Sequence, residues 1–306
     1  MFCYVWDPPR WERYKNAQLG IATHRANLPQ VKEWIRRGAN VNCSDATQGT
    51  LLHVACRQVL PELSLELVQV LLEHGANVYA EFYGQVPLHI AAEMGHIQVV
   101  AQLLLSGADV LARRNDDRAT PLHLACRYNR LHVIIVLLFF MTKSQPTVGR
   151  GVHAVDVHGE TPLFVACFHG HAEGVECFMS FVPQNDINFQ YRNKAGWTIL
   201  HAACRSGLLE VVKAPWMRAA FADVNVTEVQ GWTPLHVACF CQKLPVVQYL
   251  LEHTTANVDA RTKDGFTPLE LACCQAEELD VIYYLIREHG LDRFSKTGHR
   301  TIIQSS

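Results

Sequence analysis

Two cysteines and two histidines lie close together in the segment ACFHGHAEGVEC, residues 166–177. Thiolate and imidazole groups are the side chains that bind Zn²⁺ in structural and catalytic sites. The candidate ligands are Cys167, His169, His171 and Cys177. A tetrahedral zinc site needs all of its ligands to converge on one ion, so the zinc hypothesis depends on the elements that carry these residues.

An apolar string recurs seven times in the chain, with successive copies 34 to 41 residues apart. A fixed period in this range predicts a repeat architecture. A degenerate earlier copy begins near residue 17. The seven strings are TLLHVAC, VPLHIAA, TPLHLAC, TPLFVAC, TILHAAC, TPLHVAC and TPLELAC, which begin at Thr50, Val86, Thr120, Thr161, Thr198, Thr233 and Thr267.

Each copy predicts a pair of helices. Thr is a preferred N-cap residue, because its hydroxyl accepts from an N–H of the first turn, and Pro suits the next position. Gly95, Gly170 and Gly207 suit the left-handed position after a helix. The spacing V-V-x-x-L-L, as in residues 97–105 and 246–251, predicts a second amphipathic helix. One such pair cannot bury its apolar face alone, so neighbouring pairs must stack.

These strings resemble the T-P-L-H-x-A signature of the ankyrin repeat family, which has a period of about 33 residues. The resemblance covers residues 17–299 and implies an all-α fold, an ankyrin repeat solenoid of stacked helix-turn-helix units with projecting finger turns. Residues 1–16 are expected to form an aromatic extension or cap, and residues 300–306 a polar tail. About eight repeats are expected, near residues 17–49, 50–85, 86–119, 120–160, 161–197, 198–232, 233–266 and 267–299.

Cysteine and histidine recur in register with the repeat. The aligned cysteines fit a small buried core position, which Ala92 fills in one copy. The resemblance implies that the aligned histidines form hydrogen bonds near the turns and tie repeat to repeat. The cysteines are Cys56, Cys126, Cys167, Cys204, Cys239 and Cys273, and the histidines are His53, His89, His123, His201 and His236, with Phe164 and Glu270 in two copies.

The repeat register separates the four would-be zinc ligands. Cys167 takes the small core position, and His171 lies in the turn to the second helix. Cys177 falls within that second helix, whereas His169 occupies a variable position. The sequence therefore predicts neither a metal site nor a cofactor.

Pro215 lies where the second helix of its repeat has an aliphatic residue in other copies. An interior proline removes one helical hydrogen bond and costs about 3 kcal/mol or more. We expect this helix to kink, shorten or end there.

Composition and motifs exclude several classes of function. The formal charge of -2 lacks the excess of basic residues that nucleic acid requires. No nucleophile elbow, phosphate loop or C-x-x-C is present, so an enzyme that uses its Cys and His residues has no support. The odd count of 11 cysteines, the absence of a signal peptide pattern and the short apolar runs predict a cytoplasmic or nuclear protein that does not enter the membrane. We also expect a monomer.

The resemblance implies a concave groove formed by the fingers and the first helices, and we expect a protein scaffold or adaptor that binds protein partners there. A substrate-recognition adaptor of a ubiquitin ligase is the alternative, with the recruiting element outside this chain. The candidate contact residues are the positions that the repeat leaves free. They are Tyr83, Met94, Arg127, Tyr128, His158, Phe168, His169, Lys194, Trp197, Arg205, Trp232, Phe240 and Phe266.

Trp197 and Trp232 fill equivalent finger positions, and Phe266 follows in the next copy. Aromatic residues and arginine dominate the binding energy of protein interfaces. We therefore expect the double change Trp197→Ala and Trp232→Ala to weaken partner binding with thermal unfolding nearly unchanged. The alternative is that these rings pack against the neighbouring finger and contribute only stability.

Overall fold

A computed structural model describes residues 10–143, 151–183, 186–275 and 279–290. The first nine residues of the predicted extension and the whole predicted tail lie outside the described residues. The chain divides into two compact units. The first unit comprises residues 1–166 and 173–187, and the second comprises residues 167–172 and 188–306.

The fold is all-α, and its helices come in pairs joined by short turns. In the first unit the first helices of consecutive pairs pack on one another in order, and the second helices form a layer beside them. The helices of residues 10–143 are Arg10–His24 with Leu28–Arg36, Leu51–Cys56 with Pro61–Glu73, Pro87–Met94 with Ile97–Leu105, and Pro121–Arg127 with Leu131–Lys143. The helices Pro162–Phe168 and Ala172–Phe181 follow. Two strands, Ser44–Asp45 and Gly49–Thr50, pair antiparallel, with Ser44 opposite Thr50 and Asp45 opposite Gly49.

The second unit repeats this arrangement. Its first helices again pack on one another in order. Its helices are Ile199–Ser206 with Leu209–Lys213, Pro234–Phe240 with Leu244–His253, and Pro268–Cys274 with Asp280–His289.

The prediction for Pro215 is confirmed. The helix Leu209–Lys213 stops after five residues, and a 3₁₀ helix runs from Pro215 to Asp223. Proline has no backbone N–H to continue the α-helical ladder, and it suits the first turn of a new segment.

The predicted left-handed glycines are confirmed, with φ of 85° at Gly95, 81° at Gly170 and 80° at Gly207. Five of the six aligned cysteines are fully buried, at residues 56, 126, 167, 204 and 239, as expected for a small core position. The expectation is wrong for Cys273, which is half-buried. Among the described residues, its helix has a first-helix neighbour on one side only, so this face is less covered.

Each aligned histidine connects its own helix start to a more distant turn. In the second unit the backbone N–H of Thr233 donates to Nδ1 of His236 at 3.1 Å. The Nε2 atom of His236 lies 3.1 Å from the carbonyl oxygens of Ala260 and Phe266 in the next finger. Because Nδ1 accepts from a backbone N–H, the ring proton must lie on Nε2, which donates to those carbonyls. We call this arrangement the histidine bridge.

The histidine bridge recurs in both units and confirms the tie from repeat to repeat. The acceptor of each Nε2–H is a backbone carbonyl in a later turn, at 3.0 to 3.1 Å. The pairs are His53 with Gln85, His89 with Ala112, His123 with Glu160, and His201 with Trp232. Glu270 takes the histidine position in the last copy, and its carboxylate accepts from the Thr267 N–H at 2.8 Å. An ionised carboxylate cannot donate a hydrogen bond to a carbonyl of a later turn, so only the contact within its own repeat is kept.

The bridge also changes the role expected for threonine. At Thr50, Thr120 and Thr198, the hydroxyl lies 2.8 to 2.9 Å from Nδ1 of its histidine and forms no hydrogen bond to the first turn. The expected hydroxyl cap is present at Thr233 and Thr267, at 3.3 Å. The imidazole therefore takes over part of the capping that we assigned to threonine alone.

Burial holds these imidazoles in the neutral form. Removal from water lowers the pKa of His89, His123 and His201 to about 4. Burial lowers the pKa of His53 and His236 in the same direction. The neutral form is also the form that the bridge requires, since a protonated ring could not accept from the threonine N–H.

Stability is expected to fall as the pH drops from about 6.5 toward about 4. In this window the unfolded chain binds protons on these histidines and the folded chain does not, so protonation stabilises the unfolded state relative to the folded state. The urea midpoint should be lower at pH 5 than at pH 7.5, with a loss of about 1 to 2 kcal/mol for each of His89, His123 and His201. Equal midpoints at the two pH values would contradict this expectation.

Neighbouring fingers of the second unit approach each other closely at Gly231. The Lys263 N–H donates to the Gln230 carbonyl at 2.9 Å, and a Cβ at Gly231 would lie 2.8 Å from the Lys263 nitrogen. Gly265 has a similar φ, 86° against 81°, but open space around the Cβ position. The two glycines thus share a left-handed backbone, but only Gly231 lies close to the backbone of the neighbouring finger.

Gly265→Ala should lower the free energy of unfolding by about 1 to 2 kcal/mol, the cost of a left-handed backbone for a residue with a Cβ. Gly231→Ala should lower it by at least about 1 kcal/mol more, because the fingers must also separate. Urea unfolding of both variants measures the difference. Equal losses would show that the finger contact adds nothing to stability.

Candidate functional site

The candidate residues of the first unit are spread over separate places. Tyr83 is 78% exposed in a finger, with its ring centre 4.4 Å from that of Phe82. Met94 is half-buried, Tyr128 is 44% exposed, and His158 is exposed in another finger. The structure describes no ring contact that joins Tyr83, Tyr128 and His158 to one another within this unit.

Arg127 was expected to face a partner, but the structure pairs it within the first unit. Its guanidinium lies 3.4 Å from the Asp117 carboxylate and 4.0 Å from that of Asp156, and the side chain is 25% exposed. Arg114 binds the same Asp117 at 2.5 Å. Burial alone would raise the pKa of Asp117, but hydrogen bonds from Arg114 and the Ala119 N–H, with the nearby arginine charges, hold it well below its usual range.

Asp156 is the residue that the sequence analysis missed here. Its side chain is fully buried, and Oδ1 accepts from the backbone N–H groups of His158 and Glu160 at 2.8 and 2.9 Å. The position of Asp156, four residues before the end of its finger, is the signal that could have identified it, because side-chain oxygens recur there.

The same position holds the fingers of the second unit. Oδ1 of Asn193 accepts from the Trp197 N–H at 2.9 Å, and Oε1 of Glu228 accepts from the Trp232 N–H at 3.0 Å. Oγ1 of Thr262 accepts from the Phe266 N–H at 3.1 Å. The backbone N–H of each finger aromatic is therefore held by a hydrogen bond within its own finger.

Four candidate residues of the second unit form one cluster. The Arg205 guanidinium lies 4.1 Å from the centre of the Phe168 ring, and its Nη1 donates to the Phe168 carbonyl at 3.4 Å. The Phe168 ring also meets Trp197 edge-on at 6.1 Å and His169 at 5.6 Å. We call these residues the Trp197 cluster.

Trp232 and Phe240 form a second contact, with ring centres 5.1 Å apart and planes at 72°. Both rings are half-buried, as are Trp197 and Phe168. Phe266 in the next finger is 39% exposed, and Lys194, His169 and Arg205 are exposed. The structure thus brings finger aromatics and helix-end residues together in the second unit, which the sequence predicted only as one face.

The half-burial of the two tryptophans changes the expectation that thermal unfolding stays nearly unchanged when both are replaced by alanine. Trp197 also lies 5.8 Å from the His201 ring of a histidine bridge. Buried aromatic area and ring contacts contribute to stability, so replacing these rings cannot leave unfolding untouched. Binding and stability must therefore be measured separately.

The residues that suggested zinc are placed as core and turn. Cys167 is fully buried, and burial raises the pKa of its thiol to about 12, which disfavours the thiolate that binds metal. His169 and His171 stack on each other at 6.0 Å. Over the described residues, no three His, Cys, Asp or Glu side chains form a group that could hold a metal ion. None of the described helices is long and apolar enough to span a membrane.

Comparison with known proteins identifies the repeat. A family model described as ankyrin repeats (3 copies) matches residues 19–114, 147–214 and 216–296, and an ankyrin repeat model matches residues 117–142. The chain is 32% identical to the B-cell lymphoma 3 protein homolog of Mus musculus over 220 residues, which cover 71% of this chain and 46% of that protein. It is also 32% identical to the E3 ubiquitin-protein ligase XBAT33 of Arabidopsis thaliana over 162 residues, which cover 44% of this chain and 29% of that protein.

The nuclear factor NF-kappa-B p105 subunit of Gallus gallus is 29% identical over 191 residues, which cover 60% of this chain and 18% of that protein. The matches therefore span less than half the length of each of these relatives. The family models, in contrast, match most of this chain, from residue 19 to residue 296. The chain belongs to the ankyrin repeat family.

Proposed function

We propose that this chain binds a protein partner through the fingers and helix ends of its second unit. Ankyrin repeats generally mediate protein–protein interaction, and the choice of surface rests on one observation. The Trp197 cluster and the contact between Trp232 and Phe240 place aromatic rings at equivalent positions of consecutive repeats.

Physical chemistry favours this surface over that of the first unit. Tryptophan and arginine are the residue types most enriched among the side chains that dominate binding energy. The rings of Trp197 and Trp232 are already held by neighbouring rings and by fixed finger backbones. A partner would therefore immobilise few additional rotamers, which lowers the entropic cost of binding.

The double variant Trp197→Ala and Trp232→Ala should lose partner binding. Each ring is expected to contribute about 2 kcal/mol or more to the interface. Affinity purification from the native cells, with quantitative mass spectrometry, should show partners recovered by the unchanged chain at least tenfold depleted with the double variant. Circular dichroism and thermal unfolding should show a folded chain with a lowered midpoint.

The matched control is Trp216→Ala. Trp216 stacks on Phe189 at 5.7 Å, so its replacement also removes a tryptophan and a ring contact, in a ring pair that shares no residue with the Trp197 cluster. This variant should keep the partners. If the double variant and Trp216→Ala lose stability equally and both keep the partners, the rings of the proposed surface are structural and the proposal is wrong.

The adaptor alternative makes a different prediction. The similarity to XBAT33, which is named as a ubiquitin ligase, favours a role in substrate recognition for such an enzyme. We infer in that case that two sets of proteins are recovered: a ligase component that survives the double tryptophan change, and a substrate that does not. Recovery of partners with no ligase component supports the simple interaction module in the cytoplasm or nucleus.

A further inference from the structure

The proposed surface carries an excess of positive charge. It comprises the fingers at residues 190–197, 226–232 and 260–266 and the helix ends at residues 168–169, 205–206 and 240–241. Five basic and two acidic residues lie in these segments, although the whole chain has a formal charge of -2. The basic residues are Arg192, Lys194, Arg205, Arg261 and Lys263, and the acidic residues are Glu228 and Asp264.

Arg205 is the central positive charge of this surface. The side chain is exposed, and its guanidinium carbon lies over the Phe168 ring, 4.1 Å from the ring centre. Among the described residues, no carboxylate lies within ion-pair distance of Arg205 or of Lys194. A guanidinium that stacks on a ring keeps the edge of its planar fork for a carboxylate.

The remaining charges do not neutralise this surface. Oε1 of Glu228 already accepts from the N–H groups of Gln230 and Trp232, at 2.7 and 3.0 Å. Arg192 donates to the Thr227 carbonyl at 3.0 Å and Arg261 to the Gly265 carbonyl at 2.8 Å, so both keep their charge while fixed in place.

The arginines of the first unit have different partners from Arg205. There the candidate Arg127 is paired with Asp117 and Asp156, and Arg114 is paired with Asp116 and Asp117. In the first unit, carboxylates of the same unit therefore compensate these two arginines. In the second unit the equivalent helix-end residue, Arg205, contacts a ring and a carbonyl.

We propose that the partner segment bound by the second unit is an acidic peptide. Its carboxylates pair with Arg205 and Lys194, and its apolar side chains contact the rings of Trp197 and Trp232. This inference rests on the proposed function and adds the chemistry of the partner. Nucleic acid fits less well, because the net excess of three charges is interrupted by Glu228 and Asp264 and forms no continuous track for phosphates.

A selection of random 12-residue peptides on the full chain tests this chemistry. The recovered peptides should be enriched in Asp and Glu beside apolar residues. Their affinities are measured by fluorescence anisotropy with labelled synthetic copies. The double variant Lys194→Glu and Arg205→Glu should weaken binding at least tenfold, and Arg205→Lys, which keeps the charge, should weaken it less than the reversal does.

The matched control is the double variant Lys32→Glu and Arg118→Glu, which makes the same change in net charge at two exposed residues of the first unit. It should change affinity less than twofold, and circular dichroism verifies that each variant is folded. An equal loss in both double variants would mean general charge attraction and would overturn the inference. So would recovery of no peptide, or tight binding of a 12-nucleotide uridine RNA that requires Lys194 and Arg205.

The outcomes separate this inference from the proposed function. Peptides without acidic enrichment that still require Trp197 and Trp232 would overturn the acidic partner and leave the binding surface in place. Peptides that bind equally well to the double tryptophan variant would contradict the surface itself.

Discussion

The histidine bridge is the interaction on which the rest of the structure depends. One imidazole accepts the N–H of the residue that begins its helix and donates to a carbonyl 23 to 37 residues further along the chain. Only a neutral ring with its proton on Nε2 can do both. Burial enforces this state, because it lowers the pKa of His89, His123 and His201 to about 4. Each bridge connects only neighbouring repeats, which is how a repeat protein builds stability from its interfaces.

The bridge also leaves the side chains at the finger ends free to differ between repeats. His201 bonds to the backbone carbonyl of Trp232, and His123 bonds to that of Glu160, so the tie is independent of the side chain at that position. The second unit carries Trp197, Trp232 and Phe266 there, and Arg205 lies over the Phe168 ring that contacts Trp197. In the first unit, the finger residues Asp117 and Asp156 instead pair with Arg127. A common backbone scaffold thereby carries two surfaces of different chemistry.

Much of the fold was predictable because its determinants are local. The threonine before each helix, the left-handed glycines and the break at Pro215 follow from the φ values and donors that each residue type allows. The buried cysteines followed from the period alone. Cys273 failed the same prediction because its burial depends on a neighbouring helix rather than on its own residue type.

The candidate surface was less predictable because side-chain pairing is not periodic. Nothing near Arg127 in the sequence indicates that Asp156 lies 4.0 Å away, and nothing near Phe168 indicates that Arg205 covers its ring. The repeat placed Trp197 and Trp232 on one face but could not give their half-burial.

The most direct test of the histidine bridge is NMR of the imidazole nitrogens from pH 7.5 to 5.5. His53, His89, His123, His201 and His236 should carry their proton on Nε2, and the shifts of His89, His123 and His201 should stay constant over this range. Titration of the five rings near pH 6.5, or a proton on Nδ1, would contradict the histidine bridge.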